Sequence, residues 1–402
     1  MQALQSSYSW ANGDDSDDNS DDNDVSDKEE YNSSQGDEES QLRSFSGSES
    51  SQHNEESQHS SALSSVSTNL FGPPLAQVFG PNPPQPPRII NLQRHTAMYS
   101  EVYSLTVEDI LSAGLLYAGF EPARLKRNNI TRRFEWFKGF YGVEPTSVVP
   151  FFRDRKDEYP DIVYKDCLMT MNWIALYDTY IVLSGRWKYC EEYIGSKVIE
   201  YGLKMSKVAR GKIVFKLKDD IELGRTVDCT TFMVQEFRQD PSTSWFDYKT
   251  HSCGLKYETC LATREPQICW ISGPHAASIH DITIFRGGEA DEDEDDWDHN
   301  ALYFQLQDGE MVVADSGYVG EPSKVVVSKD EQSSEFKEFL ARAKNRQETF
   351  HWRLKSFNIL GHRFRHGKST QERMKLHKMA FELVAGIIQY DYENGHPPFD
   401  IC

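Results

Sequence analysis

The sequence predicts an α/β fold, a mixed sheet with flanking helices, preceded by a small helical region and an acidic tail. Three observations support this prediction. Residues 1–67 contain few apolar side chains, residues 100–213 show helical periodicity, and residues 214–395 alternate strand-like with helix-like segments. Each pattern is typical of a different structural class, so the chain divides into successive regions.

The first region is an acidic tail followed by a linker. Residues 1–67 consist mainly of Ser, Asp, Glu, Asn and Gln. Such a segment buries too little apolar surface to offset its conformational entropy, so we expect it to be disordered. Residues 68–99 include GPPLAQVFGPNPPQPPR, whose prolines favour an extended linker.

The net charge of −20 is concentrated in two segments. Residues 1–60 contribute −14, and the run from Asp291 to Asp298 contributes −7, which leaves about +1 for the remainder. We interpret residues 289–298 as an acidic loop insertion, because loops tolerate extra length at little cost. The overall acidity therefore does not exclude a partner that carries phosphate groups.

The sequence pattern of the second region, residues 100–213, predicts helices. Thr106 is placed to cap a first helix, whose first turn holds Glu108 and Asp109. Later, Ile194, Val198, Tyr201 and Met205 form one apolar stripe at helical spacing, after a shorter helix that ends near Gly185. These helices fit either a helix-turn-helix or an ordinary three-helix bundle.

The sequence pattern of the third region, residues 214–395, predicts a sheet with helices. TVDCTTFMVQ (226–235), LKYETCLATR (255–264) and QICWISG (267–273) predict three meandering strands. HDITIFR predicts a helix or turn, MVVADSGY (311–318) and KVVVS (324–328) predict two short buried strands, and a long helix follows from about Ser334 to Phe357. This order of elements is that of an RNase H-like sheet.

Three carboxylates occupy special positions in this arrangement. Asp228 lies on the first strand, Asp315 ends the fourth, and Glu348 lies on the long helix away from its apolar stripe. A turn residue or a solvated helix face is the simpler interpretation of each acid by itself. Together they suit two Mg²⁺ or Mn²⁺ ions, which take oxygen ligands and promote phosphodiester cleavage.

The surrounding motifs resemble those of the Harbinger-type DDE superfamily endonucleases and transposases. The segment VDCTT resembles the context of that family's first catalytic acid and points to Asp228. ADSGYVG points in the same way to Asp315, and RQETFHWRLKSFNILGHRFRHG points to Glu348. The likeness covers roughly residues 132–392 and is strongest from Thr226 onward. Cys229 and Ala314 stand where the family commonly has glycine, and neither change removes an acid.

The resemblance implies a DDE nuclease domain with a divalent cation (Mg²⁺ or Mn²⁺), DNA as substrate and a nuclear or nucleocytoplasmic location. It also suggests a separate Myb-like DNA-binding partner. His280-Asp281 offers a further acid, for which metal binding and the start of a helix are alternative interpretations.

A basic run surrounds Glu348, and cations release counterions when they contact phosphates. We therefore expect DNA contacts from a set of six residues, although a solvated basic face is the alternative. The set comprises Lys344, Arg346, Arg353, Lys355, Arg363 and Arg365. A smaller cluster at positions 124–133 adds cations from the helical region.

The function predicted from the sequence is cleavage of DNA strands by a DDE carboxylate triad. One alternative is a host-recruited DNA-binding protein that keeps the fold without cutting, against which the intact acids count. Another is an RNase H-like hydrolase that acts on RNA or on repair substrates, although no aromatic RNA-reading signature is present. Seven scattered cysteines without zinc spacing, and the absence of a long apolar stretch or a signal-peptide pattern, favour a soluble protein with reduced thiols and no membrane association.

Overall fold

The structure is a computed structural model that describes residues 105–216, 224–238, 240–329 and 332–401. The predictions of a disordered tail (1–67) and a proline-rich linker (68–99) lie outside these residues. No helix in the described part is long and apolar enough to cross a membrane.

Residues 105–216 are helical, as predicted. Thr106 caps the first helix as expected, because its hydroxyl accepts from the Asp109 amide at 3.1 Å and the Asp109 carboxylate accepts from the Thr106 amide at 3.0 Å. The helices are α1 (Val107–Tyr117), α2 (Pro122–Arg127), α3 (Ile130–Tyr141), α4 (Pro145–Glu158), α5 (Tyr164–Leu176), α6 (Tyr180–Trp187) and α7 (Glu191–Gly211).

The remainder forms a mixed sheet with flanking helices. Its strands are β1 (Arg225–Met233), β2 (Phe246–Asp247), β3 (Ser252–Ala262), β4 (Ile268–Ala276), β5 (Val312–Val313) and β6 (Val325–Val326). Its helices are α8 (Asp281–Arg286), α9 (Leu302–Gln305), α10 (Ser334–Ser356), α11 (Asn358–Gly361) and α12 (Thr370–Glu393). The five strands and the long helix predicted from the sequence are confirmed, whereas β2 and α12 were missed.

The sheet has a central strand, β1, with a neighbour of each orientation. β3 pairs with β1 antiparallel on one side, and β5 pairs with β1 parallel on the other. β4 and β2 both pair antiparallel with β3, and β6 continues the sheet parallel to β5. The antiparallel strands β1, β3 and β4, followed in the chain by β5 and β6 parallel to β1, are consistent with an RNase H-like fold.

The helical region and the sheet region share one apolar core. The predicted stripe of α7 is buried, and it packs with α12 in the same cluster as Phe232 and Leu255 of the sheet. Gly386 of α12 permits this close approach, since an added Cβ would lie 2.4 Å from the Cβ of Ala209 in α7. Most of the stability of these helices is therefore expected to come from tertiary packing.

Candidate metal-binding active site

Three aspartates from separate parts of the chain converge at one end of the sheet. Asp228 lies in β1, Asp281 is the first residue of α8, and Asp315 lies two residues after the end of β5. One carboxylate oxygen from each lies within 4.8 Å of the others. We call the cleft that these aspartates line, together with Glu348, the acid cleft; its volume is about 230 Å³.

The strand register explains why Asp228 and Asp315 meet. Thr226 of β1 is paired with Val313 of β5 in parallel register. Each aspartate comes two residues after its paired position, so both side chains leave the sheet at the same edge and on the same face. Ligand sites of open α/β sheets lie beyond the carboxyl ends of parallel strands, and Asp315 has this position.

Gly317 allows Asp281 and Asp315 to approach each other. Its amide donates to Oδ1 of Asp315 at 2.8 Å. A Cβ at this position would lie 3.0 Å from a carboxylate oxygen of Asp281 and 3.0 Å from one of Asp315. Any larger residue would therefore push a carbon atom against two acids that are already crowded.

Glu348 lines the acid cleft from α10, about a third of a turn around the helix from the buried stripe of Leu340, Phe350 and Leu354. The helix therefore packs with one face and presents a carboxylate with another, as its periodicity predicted. Glu348 is exposed and lies outside the tight group of three. The structure thus brings the predicted Asp228, Asp315 and Glu348 to one cleft, but the acid that completes the tight group is Asp281.

The negative charges of these carboxylates are poorly balanced by nearby cations. Burial, followed by repulsion from Asp315, Glu348 and Asp281, raises the pKa of Asp228 from 3.8 to about 7. Lys256 is the cation that pairs directly with the cluster, since its ammonium donates to Asp281 at 2.8 Å. A set of oxygen donors with excess negative charge fits a hard divalent cation such as Mg²⁺ or Mn²⁺.

A buried polar network supports Asp228 from behind. Nδ1 of His351 lies 3.6 Å from Asp228, and its Nε2 is 2.9 Å from the hydroxyl of Thr259. Burial lowers the pKa of His351 to about 3, so the ring is neutral and its contact with Asp228 is not an ion pair. Gln347 continues the network, because its amide donates to the Thr259 carbonyl at 3.0 Å and accepts from Thr226 at 2.8 Å.

Sequence reasoning missed the role of this network. Nothing in the sequence marks His351 as a buried residue beside an acid, although it lies one turn after Gln347 and both are buried. The only signal in the sequence is their i, i+4 spacing next to Glu348, which is also typical of an ordinary helix face. The network ties α10 to β1 and β3, and so fixes the helix that carries Glu348.

Two of the six predicted DNA-contacting residues have structural partners instead. Arg346 is 2% exposed, and its guanidinium donates to the carbonyls of Phe399, at 2.6 Å, and Glu265. Arg353 is partly buried and forms an ion pair with Asp391. Both guanidinium groups hold the C-terminal segment against α10, so we withdraw these two residues from the predicted DNA surface.

The other four remain on the surface. Lys355 is exposed and lines the acid cleft, and Lys344 is partly exposed on the same helix. Arg363 is exposed and lines a neighbouring pocket. Arg365 is exposed overall, although its guanidinium donates to the Tyr177 carbonyl at 2.8 Å and lies 4.4 Å from the centroid of that ring.

The acidic insertion lies between α8 and α9 and lines no part of the acid cleft. Its ends are held together, since the Asp298 amide donates to the Gly287 carbonyl at 2.9 Å and the Trp297 indole donates to the Glu289 carbonyl at 3.1 Å. The insertion therefore does not obstruct the carboxylates in this structure.

The comparison with known families agrees with the geometry. Residues 227–385 match the family described as DDE superfamily endonuclease, and the matched segment contains Asp228, Asp281, Asp315 and Glu348. No curated protein and no solved structure matches the chain. The family match supports a metal-dependent nuclease or transposase activity and implies DNA as the substrate.

Proposed function

We propose that this protein is a metal-dependent DNA endonuclease of the Harbinger type. The observation that carries the proposal is the convergence of Asp228, Asp281 and Asp315, with Glu348 across the same cleft. Acids that repel one another at a ~5 Å spacing are costly unless a ligand uses them, so their assembly favours a functional interpretation.

In this proposal Asp228, Asp315 and Glu348 hold two divalent cations. When bound, the cations would activate a water or a DNA 3′-hydroxyl and stabilise the leaving oxygen of the phosphodiester. Lys256 fixes the carboxylate of Asp281 and offsets one negative charge. Lys355 stands at the rim of the cleft, where an ammonium attracts the phosphate of an approaching strand.

The Harbinger-type motifs also motivate the finer parts of the proposal. These are a nuclear or nucleocytoplasmic location and a separate Myb-like protein that selects the target sequence. Phosphate contacts from Lys344 and Lys355 would position the DNA without reading its bases.

A plasmid-nicking assay with Mg²⁺ or Mn²⁺ tests the proposal. We expect wild type to nick DNA and Asp315→Asn to abolish nicking, because the amide removes a charged ligand. The fold should persist, since an Asn side-chain carbonyl can still accept from the Gly317 amide. Asp308→Asn, which changes an exposed carboxyl in the loop before β5, serves as the matched control and should nick at the wild-type rate.

Two outcomes contradict the proposal. If Asp315→Asn cleaves like wild type, the chemistry does not use this cleft. If wild type binds DNA but never cuts it with either metal, the protein is a non-cleaving DNA-binding protein that retains the fold.

A further inference from the structure

A second cavity adjoins the acid cleft. This aromatic pocket, of about 530 Å³, is lined by three rings, Phe237, Trp245 and Phe246, and by Arg238, His251 and Arg363. Cavities of this size hold small organic ligands. None of its lining residues belongs to the carboxylate site.

One short strand forms the wall between the two cavities. Phe246 and Asp247 are consecutive residues of β2, and consecutive side chains of a strand point to opposite faces. Phe246 lines the aromatic pocket, whereas Asp247, followed by Lys249 and Thr250, lines the acid cleft. Strand β2 therefore lies between a DNA backbone bound in the acid cleft and the aromatic pocket.

The rings offer stacking surface and a hydrogen-bond donor. Trp245 and Phe237 are packed with centroids 4.6 Å apart and planes inclined by 51°, so they form a wedge and not a closed sandwich. Trp245 is partly exposed, and its Nε1–H is buried without an acceptor among the described residues. A buried donor without an acceptor among these residues is one that a water or a ligand can satisfy.

The charges at the pocket suit a phosphate-bearing ligand. Neither Arg238 nor Arg363 has an ion-pair partner among the residues that the structure describes. Glu236 is the one acidic lining residue. Arg373 holds the pocket's edge in place, since its guanidinium donates to the carbonyls of Gln235, at 2.5 Å, and Glu236, at 2.9 Å. The pocket is thus formed before any ligand arrives.

We propose that the aromatic pocket binds a nucleobase swung out of the DNA strand whose phosphate occupies the acid cleft. The inference rests on the proposed nuclease function and adds a binding subsite to it. Rings for stacking, guanidinium groups without an ion-pair partner among the described residues, and a wall shared with the cleft together favour a nucleotide over an apolar peptide. Aromatic stacking accepts any base, so the pocket would recognise an unpaired nucleotide without reading its identity.

Binding measurements on nicked duplexes test this inference with the full chain. One duplex carries a single unpaired thymine at the nick, a second carries an abasic site there, and a third is fully paired. Affinities are measured with Ca²⁺ at times before product forms. We expect wild type to bind the thymine duplex about 10-fold more tightly than the abasic one, as stacking of one base provides. The same thymine should be protected from permanganate oxidation when bound.

Trp245→Ala should equalise the affinities for the thymine and abasic duplexes, while Trp352→Ala, which changes an exposed tryptophan on α10, should keep the preference. Permanganate protection in wild type needs no variant, so it decides the matter even if Trp245→Ala is poorly folded. Equal affinities with a reactive thymine in wild type overturn the inference, as does a preference that survives in folded Trp245→Ala.

The result also separates this inference from the proposed function. If wild type nicks DNA in a metal-dependent way but shows no base preference, the nucleobase subsite is wrong and the nuclease function stands. If wild type neither binds nor nicks DNA, both the nuclease function and the nucleobase subsite are wrong.

Discussion

Strand β1 carries two charged residues three positions apart, and their surroundings are opposite. Arg225 is 2% exposed, forms an ion pair with the buried Glu310, donates to the carbonyl of Lys216 and lies 4.2 Å from the centroid of the Phe215 ring. Asp228 faces other carboxylates, and the His351 ring, 3.6 Å away, is neutral. One strand therefore holds one compensated charge and one uncompensated charge.

Arg225 therefore carries a charge that supports the fold, whereas Asp228 carries a charge that suits the binding of a cation. A buried ion pair contributes little relative to apolar residues, but it is costly to break once it is formed. An uncompensated carboxylate costs stability in the free protein and regains it only when a cation binds. Substitution of Arg225 should therefore lower the free energy of unfolding, whereas substitution of Asp228 should raise it in the metal-free protein.

The largest expected effect concerns Arg225. Arg225→Ala leaves Glu310 buried without its cation, which should lower the free energy of unfolding by about 3–5 kcal/mol. Urea denaturation followed by circular dichroism measures the change. Arg127→Ala, at an exposed position at the end of α2, should change stability by less than about 0.5 kcal/mol. A small effect at Arg225 would mean that the pair does not support the sheet.

The second prediction concerns Asp228 and pH. The pKa of Asp228 is about 7 in the folded protein against 3.8 ordinarily, so between these values the folded state binds the proton more tightly. The metal-free protein should therefore lose stability as pH rises from about 4 to 7, and the loss should be complete above the folded pKa. Asp228→Asn should abolish this contribution and be roughly 1–3 kcal/mol more stable than wild type at pH 8, with no difference below pH 4.

Denaturation curves at several pH values, with EDTA present, measure this difference, and Asp308→Asn again provides the control. Mg²⁺ should raise the melting temperature of wild type and leave that of Asp228→Asn nearly unchanged. A stability difference that stays constant across pH would show that Asp228 is adequately compensated.

The third prediction concerns His351 as a positioning residue. His351→Ala removes the ring between Asp228 and Thr259, so Asp228 loses its support and cleavage should fall by about 10–100-fold. Higher metal concentration should restore part of the rate, which a purely structural defect would not show. His362→Ala, at an exposed histidine, should cleave normally. An unchanged metal dependence would assign His351 to packing alone.

The smallest expected effect concerns the rim of the cleft. Lys355→Glu should weaken binding to any DNA sequence by about 3–10-fold and make the slope of log affinity against log salt shallower. Lys378→Glu, on the exposed side of α12, provides the comparison and should bind like wild type. Equal affinity and slope for wild type and Lys355→Glu would mean that this cation belongs to a solvated face.

Predictions from the sequence succeeded where a local pattern carried the information. The β-branched and aromatic residues around Asp228 and the short apolar run before Asp315 each correctly predicted a strand, and the helical periodicity around Glu348 correctly predicted the long helix. The sequence did not indicate that Arg346 is buried or that Arg353 pairs with Asp391, because a basic helix contains no local signal of which cations face solvent. Their partners, Phe399 and Asp391, lie 53 and 38 positions away in the sequence.

The sequence by itself determined the strands and the long helix, because hydrophobic periodicity and strand ends are local properties of the chain, and its resemblance to a known family pointed to three acids for one site. Only the tertiary structure decided that Asp281 joins Asp228 and Asp315, since β1, β5 and α8 meet through strand register and not through proximity in sequence. It also decided that β2 separates an acid cleft from an aromatic pocket. The physical reason is that long-range pairing and packing fix which side chains share a cavity, and no single segment encodes that choice.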